Sequence, residues 1–265
     1  MKNILISFLC LICLSVNAQK VTDTTKKNIG DTIKKDLLTA PDTVKKLHTK
    51  PWALVAPGVA ITYGVLTLAV HPLRRIDFFV QSETNKTGAD FHSKLENYFQ
   101  FGSVAMVYGL NLVGVAGKNT FIDRTALLGL SAGIFGITAF GTKHITHRLR
   151  PNGSDYLSFP SGHTGNAFMG AEFLAQEYSS KSPVYTVIGY SLAVTTGVFR
   201  MYNRDHWFSD VVAGAGLGII STKLSYLVYP YIRNALTHTD KKGHTITFMP
   251  TYQEGMGGVS FAMQL

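Results

Sequence analysis

The chain has 265 residues, enough for one domain with tails and a large buried core. Hydrophobic residues make up 46% of it and charged residues only 15%, against about 25% in ordinary soluble domains, a balance that points to a helical membrane protein. The net charge of +9 suits anionic headgroups or phosphorylated substrates, and a nucleic-acid partner is set aside because no reading motif accompanies the basic residues, which concentrate in one tail.

Lys2, the apolar run 4–16 and Val16-Asn17-Ala18 have the charged, apolar and small-residue parts of a secretory signal, expected over residues 1–18 with cleavage after Ala18. An uncleaved anchor is the alternative. Cys10 and Cys13 both lie in this segment, so if it is removed the mature chain has no thiol and needs neither a disulfide nor a cysteine-held metal. Residues 19–51 form a polar, Lys-rich linker with a short repeat, DTTKK, DTIKK and DTVKK. Its apolar positions are too few to bury a core, which leaves a solvated tether or a segment lying on anionic lipid.

Residues 52–70 carry no charge and are long enough to cross a bilayer core. From Leu73 to Gln100 the pattern turns amphipathic, as expected of a segment that lies at an interface or roofs a site. Two further apolar runs, 104–117 and 126–141, are dotted with glycines that favour close helix packing. Three more follow at 165–177, 184–199 and 211–229, making six in all.

Chemistry gathers at the edges of these runs. Lys143 to Pro151 is a burst of positive charge that includes Arg150; by itself it reads as interfacial anchoring. His144 and His147 have no third ligand nearby, so no metal is assigned. Pro160-Ser161-Gly162-His163 then makes a turn into a helix N-terminus, where free N–H groups favour an anion, Ser161 adds a hydroxyl and His163 a titratable proton. Finally Arg200 precedes His206 and Asp210, an i,i+4 pair that by itself reads as surface or capping chemistry, or as a carboxylate holding one imidazole nitrogen and leaving the other aimed outward as a nucleophile or base. Together these blocks supply cations, a hydroxyl, backbone donors and two histidines, the inventory for phosphoryl transfer without a metal or other cofactor.

The three blocks closely resemble the motifs of the type 2 phosphatidic acid phosphatase (PAP2) superfamily, which also holds bacterial class A acid phosphatases and vanadium haloperoxidases. Lysine, six residues, arginine and proline match Lys143 to Pro151; PSGH matches 160–163; arginine, histidine and aspartate match Arg200, His206 and Asp210. Phe199 stands where the third motif normally has serine. The resemblance implies an all-α, six-helix transmembrane bundle over residues 52–232. It implies that His206 attacks phosphorus, Asp210 orients it and His163 protonates the leaving group. Lys143, Arg150, Ser161, Gly162 and Arg200 would bind phosphate. The implied substrate is a membrane lipid phosphate: phosphatidic acid, phosphatidylglycerol phosphate, undecaprenyl pyrophosphate or lipid A phosphate. Alternatives are a soluble, exported class A acid phosphatase and a catalytically inactive membrane-associated module.

The expected location is the bacterial cell envelope, as a multi-pass inner-membrane protein with a periplasm-facing site, or else soluble or peripheral in the periplasm. The positive-inside rule favours the periplasmic site. A cleaved signal followed by six full spans would put the motifs on the other side, so one of those premises has to give. In the tail, 233–265, alternation at Val259, Phe261, Met263 and Leu265 predicts a β-hairpin with strands near 244–252 and 257–265.

Overall fold

The structure is a computed structural model that describes residues 51–88, 91–239, 245–253 and 256–263. The expected signal and all of the linker except Pro51 lie outside the described residues. A short 3-10 turn, Pro51–Leu54, leads into α1, Val55–Ala69. Val70 is extended and the Pro that follows His71 fits the first turn of a new helix, so α2, His71–Thr87, starts afresh at an angle to α1. Next come α3, Glu96–Leu112; α4, Phe121–Thr146; α5, Gly162–Tyr178; α6, Pro183–Tyr202; and α7, Phe208–Leu236.

The described residues thus hold seven helices where six were expected. Each apolar run contributes one helix, although 104–117 overruns α3 by five residues, and the seventh, α2, comes from the amphipathic stretch. That stretch also gives up its end to α3, which begins at Glu96 and stops at Leu112, just before Gly114 turns the chain with φ 85°. Local signals set other ends. Thr120 caps α4 by accepting from the Asp123 amide, and Ser182 caps α6 by accepting from Val184, with Pro183 in the first turn. At the far end of α4 His147 adopts the left-handed conformation, φ 43°, and reverses the chain toward the site.

Helix α5 is the hub, packed on α3, α6 and α7. Contact with α7 is so close that a Cβ on Gly214 would come 2.5 Å from the Ser161 carbonyl oxygen, and one on Gly218 would meet the Gly165 backbone. The apolar core centres on Val107, Leu127, Phe173, Leu174, Tyr178 and Tyr226, all fully buried. Away from the site the bundle end is tied by buried ions: Arg124 to Glu177, and Arg233 to Asp123, with Tyr226 and Tyr229 donating to the two carboxylates.

Among the described residues three helical segments are long and apolar enough to cross a membrane: Trp52–Ala69, Phe121–Thr146 and Phe208–Arg233. Large side chains such as Val59, Ile137, Phe140 and Val187 stand on the outer surface. In the tail, β1, Thr237–Thr239, β2, Thr245–Gln253, and β3, Met256–Met263, form an antiparallel sheet in that order, with Ile246 opposite Met263 and Gln253 opposite Met256. A third strand, β1, joins the two that alternation predicted.

Candidate active site

One end of the bundle gathers all eight residues singled out in the sequence. Lys143 is in the last turn of α4, Arg150 in the loop beyond it, and Ser161, Gly162 and His163 open α5. Arg200 is near the end of α6, His206 lies in the α6–α7 loop, and Asp210 is in the first turn of α7. Backbone bonds lock these segments together: the Ser161 amide donates to the Asp210 carbonyl at 3.0 Å, and the His206 amide to the Arg200 carbonyl at 3.3 Å.

His206 is buried, with Nδ1 3.7 Å from Asp210 Oδ2, beyond hydrogen-bond reach. Asp210 is already engaged: Oδ1 accepts from Arg148 at 2.7 Å, and Oδ2 accepts from Ser158 Oγ and from the Trp207 amide at 2.9 Å. These contacts fix the carboxylate under the imidazole. Burial pulls the His206 pKa down to about 4, with Asp210 pulling the other way and Lys143 and Arg150 adding to the fall. The ring is therefore neutral at physiological pH, as a nucleophile has to be.

Three cations surround His163. Burial, then Arg200, Arg150 and Lys143, lower its pKa to about 4. Its Nε2 pairs with Asn97 Oδ1 at 2.8 Å, which makes Nε2 the protonated nitrogen of the neutral ring. Arg150 is steadied by Asp155 at 2.7 Å and the Asp205 carbonyl at 3.3 Å. Arg200 Nη1 pairs with Asp205 at 2.8 Å and reaches Glu96 at 3.4 Å, while its buried Nε has no hydrogen-bond partner among the described residues. Lys143 Nζ donates to the Leu157 carbonyl. Ser161 is buried and shares a hydrogen bond with Thr164 at 2.9 Å. Such a cluster of cations, with a neutral imidazole on either flank, can take a tetrahedral dianion and transfer its central atom.

Several neighbours escaped the sequence reading. Glu96 and Asn97 of α3, Arg148 and Ser158 bond directly to site residues, while Asp77 of α2 and Ser209 bond to Arg148. Arg148 lay inside the charged burst but looked like one more anchor. Phe199, in the serine position, is half-buried against Phe91, 5.2 Å between ring centres, and Phe99, 6.3 Å. His144 Nδ1 is paired with the Phe140 carbonyl at 2.8 Å.

Residues 124–234 match the family model described as the PAP2 superfamily. A lipid A 1-phosphatase of Porphyromonas gingivalis is 36% identical over 148 residues, which are 55% of this chain and 33% of that protein. A probable lipid phosphate phosphatase 4 of Arabidopsis thaliana is 37% identical over 93 residues, 30% of each chain. The chain spans about a third of the length of these curated relatives. A crystal structure of a transmembrane PAP2-type phosphatidylglycerolphosphate phosphatase from Bacillus subtilis aligns with a TM-score of 0.47 and 22% identity, over 67% of this chain and 97% of that one.

Proposed function

We propose, from the match of residues 124–234 to the PAP2 superfamily model, that this protein is a membrane lipid phosphatase that works through a phosphohistidine. The observation that carries the reading is the buried, neutral His206 backed by Asp210, beside three cations from different segments that all bear on His163. In the first step the His206 lone pair forms an N–P bond as the ester P–O bond breaks, and His163 gives its proton to the departing alkoxide. In the second, His163 takes a proton from water, the resulting hydroxide attacks phosphorus, and the N–P bond breaks to release inorganic phosphate. Lys143, Arg150, Arg200, Ser161 and the Gly162 amide hold the equatorial oxygens, supplying fixed charge where a metal would otherwise be needed.

A lipid substrate is favoured by the three candidate spans and by the apolar outer surface. Among lipids, the 36% identity to a lipid A 1-phosphatase makes lipid A phosphate the first to try. The test is phosphate release from lipid A, phosphatidylglycerol phosphate, phosphatidic acid, undecaprenyl pyrophosphate and a soluble monoester. A lipid should be preferred and activity should vanish in His206→Ala. A preference for the soluble monoester would overturn the lipid assignment. We place the site on the periplasmic side of the inner membrane; reporter fusions after residues 45 and 155 test this, and residue 155 inside the cell in an active protein would reverse it.

A further inference from the structure

Arg148 stands two residues before Arg150 yet turns away from the phosphate pocket. Its side chain is 5% exposed and both ends of the guanidinium finish on carboxylates. Nη1 donates to Asp210 Oδ1 at 2.7 Å and to Ser209 Oγ at 2.8 Å; Nη2 donates to Asp77 Oδ2 at 2.6 Å. Asp77 is buried as well, and also accepts from the Ser209 amide at 2.8 Å and hydroxyl at 2.7 Å. The Trp207 ring lies 5.6 Å from the guanidinium carbon. Asp77 comes from α2, outside the segment that matches the family model.

The charge balance of this cluster is informative. A guanidinium paired with Asp210 alone would cancel its charge, and a cancelled pair in a buried site exerts little pull on a third group. Two carboxylates on one guanidinium leave one net negative charge. Asp210 is the carboxylate that faces His206, at 3.7 Å.

We propose that Asp77 is a positioning residue of the reaction: by sharing Arg148 it keeps Asp210 a net anion, aimed at His206 Nδ1. Its kinetic consequence rests on the phosphatase reading; its electrostatic consequence does not. The imidazolium-like ring of a phosphohistidine needs a negative partner, and Lys143 and Arg150 oppose it from the pocket side. Asp77 offsets the Arg148 charge that would otherwise be added to theirs.

The test uses the purified full chain, with lipid phosphate hydrolysis and the titration of His206 in protein carrying 15N-labelled histidine. Asp77→Asn should lower kcat by at least about tenfold, the equivalent of one pKa step, with KM changed less than about threefold. Adding Arg148→Gln restores a single net negative charge and should recover most of the lost kcat, although it strips away further hydrogen bonds. If the double variant is as slow as Asp77→Asn or slower, Asp77 only supports the fold and the proposal falls. In the titration, Asp77→Asn should lower the His206 midpoint and Arg148→Gln alone should raise it. An unchanged or raised midpoint in Asp77→Asn overturns the assignment, and should that variant not fold, the same comparison is made between Arg148→Gln and Asp77→Asn/Arg148→Gln, where an equal midpoint overturns it. A wild-type chain that releases no phosphate from any ester sinks the phosphatase reading, while the titration still judges the role of Asp77.

Discussion

His163 carries a contradiction that substrate resolves. The general-acid role proposed for His163 requires a proton, yet burial and three cations hold its pKa near 4. A phosphate dianion among Arg200, Arg150 and Lys143 would neutralise them and raise that pKa, so the acid is charged by the group it will protonate. Binding of inorganic phosphate should therefore take up a proton near pH 6, read by calorimetry in buffers of different ionisation heat. Binding that moves no proton beyond those of phosphate itself would refute this. Asn97 fixes the ring by accepting from Nε2, and Asn97→Ala should cut kcat by about tenfold to a hundredfold with little change in KM. Phe199 packs on Phe91 and Phe99 rather than facing an empty space. Phe199→Ser should thus cost about 1–3 kcal/mol of stability through lost packing, measured by thermal unfolding, before any gain from a hydroxyl appears.

At the scale of elements, the contact of α5 with α7 sets where the Pro160-to-His163 turn sits. Gly214→Ala would push a methyl onto the Ser161 carbonyl, backbone that cannot swing aside. The expected result is a loss of stability of about 1–3 kcal/mol with a larger relative loss of kcat, checked by melting and turnover on the same preparation. What was legible in the sequence follows from the same distinction between local and distant. Arg200, His206 and Asp210 could be related because a loop and one helical turn fix their spacing, and Ser161 could be placed because a proline-glycine turn announces a helix start. Asp77 could not be tied to Ser209, 132 positions away, nor Asn97 to His163, 66 positions away, since only packing of separate helices unites them. The inward turn of Arg148 depends on the left-handed His147, where no glycine signals the reversal. The helix count differed because the six expected helices were the apolar runs, and the amphipathic stretch that forms α2 was read as a segment at an interface or over the site.

For the whole molecule, acidity is the condition to watch. His206 and His163 have folded pKa values near 4, below the 6.5 of a free imidazole. The unfolded chain thus binds protons first as pH falls; stability is fully present above pH 6.5 and is lost progressively toward pH 4. Melting temperature should fall across that window, and less so in His206→Gln, provided the variant folds. A flat profile would show that the imidazoles are not held neutral. The position of the site has a different consequence. Every group assigned to the chemistry sits at one end of the bundle, and the opposite end is closed by the Arg124–Glu177 and Arg233–Asp123 pairs. On the proposed lipid-phosphatase reading, a chain so built serves a single leaflet. Any lipid made in the other leaflet has to be flipped before it becomes a substrate, so in vesicles with the protein inserted one way round, about half of an evenly distributed lipid should stay intact until a flippase is added.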